Sequence, residues 1–203
     1  MISPDDAVEI LDRLASCRVE VWVDGGWGVD ALLGGQSRCH DDLDLVIARE
    51  DCAAARHALA GLGYEHATDI EPGMPARFAL RDPDNRRIDF HPVVFDDSGN
   101  GWQELPDGRW ACYPAAGLAG AGRISERRVR CLTPELQVSH HLGYDAHDND
   151  HDDMRRLAER FRIELPAQFQ LRRSGASNDA RDSDPEGSDE TRPNRPRQAK
   201  DDL

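Results

Sequence analysis

Lysine is nearly missing from this chain of 203 residues: of its 25 lysines and arginines, only Lys200 is a lysine. A phosphate-binding P-loop needs a lysine on the β- and γ-phosphates, and Schiff-base or lysyl-adenylate catalysis needs a lysine nucleophile. The sequence before the last few residues offers none for either purpose. A protein of this composition that handles a nucleoside triphosphate must therefore hold the phosphates with metal ions, backbone amides and arginines.

Long apolar runs and paired cysteines are also lacking. No apolar stretch approaches the roughly 18 residues that a membrane span needs, and the N-terminus is acidic from its first residues, unlike a secretory signal. The five cysteines are odd in number and include no CxxC pair, which argues against both a disulfide framework and a zinc ribbon. We therefore expect a cytoplasmic protein without a membrane partner.

Positive charge is scarce relative to negative charge, and the net charge is −14. Nucleic-acid affinity rests largely on neutralising phosphates with lysine and arginine, so DNA and RNA are not expected partners. Metal ions or a polycationic substrate suit an acidic chain better.

The composition divides the chain into residues 1–172 and a tail of residues 173–203. The tail consists mostly of Ser, Asp, Arg, Pro and Gly, so it cannot bury enough apolar surface to offset the entropy of ordering. We predict one domain with C-terminal helices over 1–172 and a disordered tail.

The apolar pattern predicts helices and strands in alternation. Helices are expected over 4–16, 27–33, 51–62 and 150–161, with a further helix starting at 133–134. Strands are expected over 18–23 and 42–47, and a β-hairpin over 76–81 and 87–94. No clear period is found over 96–122. The last helix should bury Met154, Leu157, Ala158 and Phe161. This order predicts an α+β fold, a small mixed sheet with helices packed on it.

Two aspartates stand out in the strand over 42–47. Asp42 and Asp44 are two residues apart, so their side chains project from one face, roughly 6.6–6.8 Å apart along the strand. Two like charges in a half-buried strand are unfavourable unless a cation lies between them. Asp89, in the strand over 87–94, alternates with Ile88 and Phe90 and can join the same face. The three carboxylates predict a two-metal site for phosphoryl transfer, with Mg²⁺ as the ion.

A glycine-rich segment, Asp24-Gly25-Gly26-Trp27-Gly28, precedes these acids and follows a valine-rich strand. A turn of this kind leads into a helix and lets backbone amides approach phosphate oxygens. A lone Gly-Gly pair is usually only a turn, and Asp-x-Asp is a common accident in a sequence rich in Asp. Glycine turn, helix, loop and acidic strand in this order over 24–44 form a more specific combination.

These segments resemble the nucleotidyltransferases of the DNA polymerase β superfamily. VWVDGGWGVDALLGGQSRCHDDLDLVI is similar in particular to the lincosamide and aminoglycoside 2″-nucleotidyltransferases of antibiotic resistance. RRIDFHPVVFDDSGNGWQ resembles the third-acid strand of the lincosamide-type members, and CLTPELQVSHHLGYDAHDNDHDDMRRLAERFRIELP their C-terminal helices. The resemblance covers nearly everything from Ala7 to Pro166. It implies a polymerase β-type nucleotidyltransferase fold and transfer of a nucleoside monophosphate, AMP first, from ATP or another NTP.

The resemblance also implies roles for individual residues. Asp42 and Asp44 would bind two Mg²⁺ ions, and Asp89 would bind one of them. Gly25 and Gly26 would cradle the triphosphate. Gly-Gly stands where the superfamily usually has Gly-Ser, so a serine contact to the phosphates is missing here.

Arg38 and His40 match the family pattern Arg-x-His-x-Asp-x-Asp, and both are candidates for nucleotide binding. For Arg38, phosphate binding competes with a surface ion pair to Asp30 or Asp41. For His40, phosphate contact competes with a structural hydrogen bond that holds the loop.

The general base that accepts the hydroxyl proton is expected to be Asp89, beside the metal. His91 lies on the same strand face and is an alternative. Glu104 is a third candidate, expected to line the substrate site if its segment folds over the carboxylates. In the same irregular segment, Trp102 and Trp110 are expected either in the core or stacked on a sugar or base.

A segment rich in histidine and aspartate over 140–153 allows a second interpretation, zinc binding. His147 and His151 have the i, i+4 spacing of two ligands on one helix face. Most of the segment is charged or polar, as expected for a solvated helix start, and this explanation is favoured. His141 and Tyr144 are expected to line the substrate pocket.

We predict nucleotidylation of a hydroxyl on a small-molecule antibiotic, lincosamide first and aminoglycoside second. A polycationic aminoglycoside suits the acidic charge, whereas the C-terminal segment resembles the lincosamide side. One alternative is an enzyme of the same fold that acts on another metabolite or a protein hydroxyl. Another is a non-catalytic nucleotide-binding regulatory module, against which the three intact acids argue. A homodimer is left open.

Overall fold

The structure is a computed structural model that describes residues 1–69, 73–142 and 145–170. The helices in these ranges are α1 (Pro4–Ser16), α2 (Gly25–Leu33), α3 (Cys52–Ala60), α4 (Pro134–His140), α5 (Asp148–Phe161) and α6 (Ala167–Gln170). The strands are β1 (Val21–Asp24), β2 (Asp42–Ala48), β3 (Glu65–His66), β4 (Phe78–Arg81), β5 (Arg87–Phe95), β6 (Gly101–Glu104), β7 (Trp110–Tyr113), β8 (Gly120–Ile124) and β9 (Arg127–Cys131). The predicted α+β architecture is confirmed, with a larger sheet than the sequence pattern indicates.

The start of α1 and its buried face follow from the sequence. Ser3 accepts a hydrogen bond from the Asp6 backbone N–H at 3.1 Å, and the Asp6 carboxylate accepts from the Ser3 N–H at 2.8 Å. Pro4 occupies the first helical position, where a missing N–H costs nothing. The face turned to the core carries Ala7, Ile10, Leu11 and Leu14.

Strand β2 lies at the centre of a sheet with the order β3-β4-β5-β2-β1-β9-β8. It pairs antiparallel with β1 and parallel with β5. Leu43, Leu45 and Ile47 project from one face into the main core, which α1 and α3 complete. Asp42 and Asp44 alternate with these residues and therefore project from the opposite face. We call this side of β2 and β5 the acidic face.

The acidic face is polar only at one end. Farther along β2 and β5, Val46 and Val93 on the same face are buried in a second apolar cluster with Tyr113, Leu132 and Leu136. Residues of β7 and α4 cover this apolar end. The carboxylates therefore lie next to a buried apolar cluster.

The glycine segment differs in detail from the prediction, because α2 begins at Gly25 without a separate turn. Asp24 ends β1 and caps the helix, accepting from the Gly25 N–H at 2.7 Å. Gly25 has φ of +58°, a left-handed conformation that glycine adopts without steric cost. One residue thus redirects the chain from strand to helix.

The predicted β-hairpin is confirmed, since β4 and β5 pair antiparallel. Its turn is held by Asp82, which accepts from the Arg86 backbone N–H at 2.8 Å and from the Arg86 guanidinium at 2.6 Å. This hairpin carries Asp89 to the centre of the sheet, beside β2.

The expectation of an irregular segment over 96–122 is wrong, because it contains β6, β7 and the start of β8, with β9 following. The side chains explain why a search for apolar alternation misses these strands. Trp102 and Trp110 point outward and are 36% and 48% exposed. In β9, Val129 and Cys131 are buried, and the other three residues are arginines.

The C-terminal helices agree with the prediction in position and differ at their ends. Helix α5 begins at Asp148, two residues before the predicted start, and the His147 N–H donates to Asp150 at 2.8 Å. Met154 and Leu157 are buried as predicted, whereas burial of Phe161 is wrong, since it is 36% exposed. Ile163 packs against the same apolar cluster in its place, after the chain turns at the end of the helix.

None of the helices in the described ranges is long and apolar enough to cross a membrane. The tail predicted from residue 173 onward lies outside those ranges, so its disorder stays a prediction.

Candidate active site

The sheet register places the three predicted carboxylates side by side on the acidic face. In the parallel pairing of β2 with β5, Asp44 lies opposite Asp89 and Asp42 lies opposite Arg87. Asp42 and Asp44 are partly exposed, whereas Asp89 is only 2% exposed. The strand assignment from sequence thus brings all three acids together.

Two arginines that the sequence analysis did not single out hold these carboxylates. Arg77 donates to Asp89 Oδ2 at 2.8 Å, and Arg87 Nε lies 3.4 Å from the same oxygen. Arg87 also contacts the Asp42 carboxylate. The arginines supply the positive charge that three adjacent carboxylates need.

The carboxylates do not converge on one point in this conformation. Within the described ranges, no three histidine, cysteine or acidic side chains are arranged to hold a metal ion. In this conformation Asp89 is paired with Arg77, and Asp42 is paired with Arg87. A metal at these carboxylates requires the ion pairs to rearrange.

The remaining properties of the acids suit a divalent cation. Asp89 Oδ1 is buried and has no hydrogen-bond partner among the described residues. Burial raises the pKa of Asp89, and the negative charge of Asp44 raises it further. Arg77 and Arg87 lower the pKa, but by less, so it remains above its usual value. Burial and Asp44 likewise raise the pKa of Asp42. Carboxylate oxygens are the ligands that Mg²⁺ takes, so the residues present fit the predicted ion.

The two glycines at the start of α2 are needed for close packing beside the acids. A Cβ atom on Gly25 would overlap the Asp44 carboxylate, and one on Gly26 would overlap the His40 ring and the Arg38 guanidinium. The first turn of α2 therefore packs directly against Asp44 and Arg38, while the Gly25 N–H donates to the capping Asp24.

Asp24, the cap of α2, is a further buried acid in this region. Its Oδ2 lies 3.9 Å from His140 Nδ1, and the His140 ring packs edge-on against Tyr113. Burial raises the pKa of Asp24, but the contact with His140 and the charge of His91 outweigh it and lower the pKa. Asp24 thus stays ionised at the strand end that faces the site.

Arg38 has a partner that the sequence did not indicate. Its guanidinium donates to Asp153 of α5 at 2.8 Å, and Asp153 is only 2% exposed. A surface ion pair of Arg38 with Asp30 or Asp41 is therefore wrong. Because the Arg38 guanidinium also packs beside Gly26, this ion pair links α5 to the first turn of α2.

His40 is held as a structural residue in this conformation. Its Nε2 lies 2.5 Å from Asp30 Oδ2, and its ring packs on Trp27 with the centroids 4.7 Å apart. Asp30 also accepts from the Ser37 backbone N–H at 3.0 Å, so the pair fixes the loop before β2. The loop-holding alternative for His40 fits these contacts better than direct phosphate contact.

The two other base candidates lie in different surroundings. His91 Nε2 is 3.3 Å from Asp44 Oδ1, so the His91 ring lies beside the carboxylates of the acidic face. Burial lowers the pKa of His91, but the contact with Asp44 and the charges of Asp24 and Asp89 raise it overall. Glu104 instead pairs with Arg49 at 3.3 Å, on the side of β6 that carries Trp102.

The predicted pocket residues of the C-terminal helices are placed only in part. His141 Nδ1 lies 2.7 Å from the Gln137 carbonyl oxygen of α4, and its Nε2 lies 4.0 Å from the Asp150 carboxylate of α5. His140, its neighbour, is the histidine that approaches Asp24. Tyr144 lies outside the described residues, and its substrate role stays a prediction.

The alternative of a zinc site over 140–153 gains no support. His147 precedes α5 at its cap, and the His151 ring packs edge-on against Phe169. In the part of the chain that the structure describes, these residues do not form a metal-binding group.

Sequence reasoning missed several residues at the site: Arg77, Arg87, Tyr113, Asp153, and Gln103, whose amide nitrogen lies 3.4 Å from His91 Nδ1. Arg87 could have been found, because pairing β2 with β5 in register sets it opposite Asp42. The others had no local signal. Asp153, for example, is separated from Arg38 by 115 positions in the chain.

The acids on adjacent strands beside a glycine-started helix, on a mixed sheet with this strand order, define a nucleotidyltransferase fold. Comparison with known proteins gives the family. The family model for aminoglycoside-2″-adenylyltransferase matches residues 6–157, and the chain belongs to this family.

Curated relatives of this chain come from two kinds of resistance protein. A lincosamide resistance protein from Staphylococcus haemolyticus is 31% identical over 148 residues, covering 73% of this chain and 89% of the relative. A 2″-aminoglycoside nucleotidyltransferase from Escherichia coli is 31% identical over 136 residues, covering 67% of this chain and 71% of the relative.

Solved structures agree with these relatives. The lincosamide antibiotic adenylyltransferase LnuA, crystallised with lincomycin, superposes with a TM-score of 0.68 at 29% identity, over 77% of this chain and 96% of that one. ANT(2″)-Ia, in complex with adenylyl-2″-tobramycin, has a TM-score of 0.60 at 21% identity, over 78% of this chain and 88% of that one. This similarity supports the same fold. The predicted polymerase β-type nucleotidyltransferase fold is confirmed.

Proposed function

We propose that this chain transfers a nucleoside monophosphate from an NTP, ATP first, to a hydroxyl group of a small-molecule antibiotic. A lincosamide is the first acceptor and an aminoglycoside the second. The observation that carries the proposal is the placement of Asp42, Asp44 and Asp89 on one strand face, beside the first turn of α2 at Gly25.

The nucleotide side of the site is built from backbone amides and arginines. The first turn of α2 at Gly25 and Gly26 holds the triphosphate at the positive end of the helix. For this the Gly25 N–H exchanges its hydrogen bond to the Asp24 carboxylate for one to a phosphate oxygen. The guanidinium of Arg38, next to Gly26, adds a charged donor in a chain that has no lysine in this region. His40 and Asp30 keep the loop that carries Arg38 in place.

The carboxylates hold the metal. Two Mg²⁺ ions bound by Asp42, Asp44 and Asp89 would neutralise the charge that develops on the phosphates during the displacement. Arg77 and Arg87 pair with Asp89 and Asp42, so these ion pairs would have to rearrange for the carboxylates to bind the ions.

Asp89 accepts the proton of the acceptor hydroxyl as its oxygen attacks the α-phosphorus. Its Oδ1 is buried and has no hydrogen-bond partner among the described residues, so this oxygen is available to accept the proton. Glu104 is engaged with Arg49 in this conformation, which does not favour it as the base.

The choice of acceptor rests on the relatives. The lincosamide resistance protein aligns over more of this chain than the aminoglycoside enzyme does, 148 residues against 136. Of the two solved enzymes, LnuA has the higher TM-score. The net charge of −14 keeps a polycationic aminoglycoside as the second acceptor.

Incubation with Mg²⁺, each NTP in turn and a panel of lincosamides and aminoglycosides tests the proposal. We expect mass spectrometry to detect a lincosamide that has gained an AMP unit, and no adduct in reactions with the Asp44→Asn variant. ATP binding without an adduct on any acceptor would favour a regulatory nucleotide-binding role. An adduct only on aminoglycosides would reverse the order of acceptors.

A further inference from the structure

A chain of polar contacts leads from the interior of the protein to Asp44. His91 Nε2 lies 3.3 Å from Asp44 Oδ1, and His91 Nδ1 lies 3.4 Å from Gln103 Nε2. Both are long hydrogen-bond distances, and each can exist with the imidazole proton on either side. The position of that proton decides whether His91 donates to Asp44 or is available as a base.

The orientation of the Gln103 amide is fixed by its two other neighbours. Its nitrogen lies 2.8 Å from the Ala76 carbonyl oxygen, which can only accept a hydrogen bond. The amide oxygen must therefore point the other way, where it accepts from the Tyr113 hydroxyl at 2.9 Å. The Gln103 side chain is buried, and a flipped amide would set two oxygens against each other at Ala76.

An amide nitrogen carries two hydrogens. One is used by Ala76, and the second faces His91 Nδ1. A proton on Nδ1 would oppose this N–H, so Nδ1 presents its lone pair and the imidazole proton lies on Nε2. That Nε2–H points at the Asp44 carboxylate.

We propose that Gln103 and His91 act as a positioning pair for Asp44. Gln103 selects the Nε2–H tautomer of His91, and His91 donates this proton to Asp44 and orients its carboxylate. The lone pair on Nδ1 is occupied by Gln103 and the Nε2 position by its proton, so neutral His91 has no free nitrogen with which to act as the general base. This leaves the base role to Asp89.

The inference rests on the proposed function in one respect, the role of Asp44 as a metal ligand. Groups that orient a metal ligand typically affect metal affinity by about 10–100-fold, although they do not touch the metal. The tautomer itself does not depend on any activity. The two parts can therefore be tested separately.

The tautomer is measured by NMR on protein labelled with ¹⁵N in the histidine rings, at alkaline pH where the imidazole is neutral. We expect the His91 signals, assigned by their loss in a His91→Gln variant, to show a protonated Nε2 and an unprotonated Nδ1. A ring protonated at Nδ1, or an even mixture of tautomers, would overturn the proposal.

Two variants test whether Gln103 makes the selection. Gln103→Glu presents an acceptor in place of the donor, so we expect it to move the His91 proton to Nδ1. Tyr113→Phe is the matched control, because it removes only the bond to the amide oxygen, and the Nε2–H tautomer should persist. An unchanged tautomer in Gln103→Glu would refute the selection. If the Glu variant does not fold, Gln103→Met removes the donor without adding an acceptor, and a share of Nδ1–H tautomer no larger than in the wild type would refute the selection.

The effect on Asp44 is measured with Mn²⁺ alone as the probe, by titration calorimetry. We expect His91→Ala to weaken Mn²⁺ binding about tenfold or more. His91→Gln keeps an N–H near the Nε2 position and lacks a basic nitrogen, so it should retain affinity close to the wild type. Equal losses in both variants would rule out donation to Asp44. A wild-type protein that binds no Mn²⁺ would contradict both the proposed function and the orientation of Asp44 as a metal ligand. The NMR measurement would still decide whether Gln103 selects the His91 tautomer.

Discussion

Among single residues, Asp44 lies between several groups of the candidate site. Its carboxylate lies opposite Asp89 in the sheet register, faces His91 and fills the space beside Gly25. Its negative charge also raises the pKa of Asp42 and of Asp89. The residue therefore adds electrostatic repulsion to the folded protein in the absence of a cation.

Replacing Asp44 or Asp42 with Asn should separate function from stability. We expect nucleotide transfer to fall by about a thousandfold or more, since metal stabilisation of the displacement amounts to several kcal/mol. The melting temperature should stay equal or rise, because one charge leaves the cluster. Asp41→Asn, at an exposed neighbouring position, is the control for both measurements. Transfer at wild-type rates in either variant would show that the metal assignment is wrong.

Gln137 is a residue whose polarity has no visible use in the fold. It is fully buried, and neither its Nε2 nor its Oε1 has a hydrogen-bond partner among the described residues. Its amide packs against Gly28 at the contact of α4 with α2. Burying an unsatisfied polar group costs about 1–3 kcal/mol.

Gln137→Met should therefore stabilise the protein by about 1–3 kcal/mol. For a chain of this size the melting temperature rises by about 2–4 °C per kcal/mol, which calorimetry can resolve. Gln36→Met, at an exposed position, should change it little. Destabilisation by Gln137→Met would indicate that the amide makes a hydrogen bond in solution.

At the scale of elements, α5 is linked to the nucleotide end of α2 by one ion pair. Asp153 of α5 is buried and holds Arg38, whose guanidinium lies beside Gly26. Burial raises the pKa of Asp153, and the bond to Arg38 opposes this rise. The Asp153 carboxylate orients the Arg38 guanidinium, whose other hydrogen bond goes to the Cys39 carbonyl oxygen at 3.2 Å.

Asp153→Asn should weaken ATP binding about tenfold. The reason is that Arg38 would lose its orientation and with it one charge-assisted hydrogen bond to the nucleotide. Asp152→Asn is the matched control, since Asp152 is exposed on the same helix and pairs with Arg155 at 2.9 Å. Titration calorimetry with ATP and Mg²⁺ compares the two. If both variants bind ATP equally well, Arg38 does not contact the nucleotide through this arrangement.

The turn between β5 and β6 depends on one exposed acid, Asp96. Its carboxylate accepts from Trp102 Nε1 at 2.9 Å and from the Asn100 side chain at 3.0 Å, as well as from two backbone N–H groups of the turn. The bond from Trp102, together with the others, lowers the pKa of Asp96 to about 2.

This lowered pKa gives the turn a definite pH dependence. The carboxylate stabilises the fold when pH is above its unfolded pKa of about 3.9, and the contribution disappears as pH falls toward 2. Melting temperatures measured from pH 5 downward should therefore fall less steeply for Asp96→Asn than for the wild type. Asp97→Asn, which alters an exposed neighbour, should follow the wild type. Parallel curves for Asp96→Asn and wild type would refute this role.

At the scale of the whole molecule, arginines supply the positive charge of the candidate site. The chain carries a net charge of −14, and its lysine is at position 200. Arg38 lies at the start of α2, and Arg77 and Arg87 lie at the carboxylates. Arginine keeps its charge at all accessible pH values and offers planar donors that match phosphate and carboxylate.

The tail from residue 173 onward should be dispensable for the folded domain. Its sequence contains no aromatic residue and only one large aliphatic residue, Leu203, so it has little to contribute to a core. We expect a protein ending at Arg172 to keep the melting temperature and the transfer activity of the full chain. Loss of several degrees on truncation would place the domain boundary elsewhere.

Much of the fold could be read from the sequence, because its signals are local. The phase of Leu43, Leu45 and Ile47 sets Asp42 and Asp44 on the other face, and the capping residues set the start of α1. The tryptophan-bearing and arginine-bearing strands β6 to β9 escaped this reasoning. Their exposed faces carry large or charged side chains, so alternation between apolar and polar residues is weak there.

The sequence by itself determined which residues could carry the chemistry: three acids on strands, and two glycines at the start of a helix. Only the tertiary structure decided their partners. Arg77 on Asp89, Gln103 on His91 and Asp153 on Arg38 are side-chain contacts between separate elements. A periodic pattern specifies the face on which a side chain lies, because that depends on neighbouring dihedral angles. Which atom it meets depends on how distant parts of the chain pack, and no local pattern carries that information.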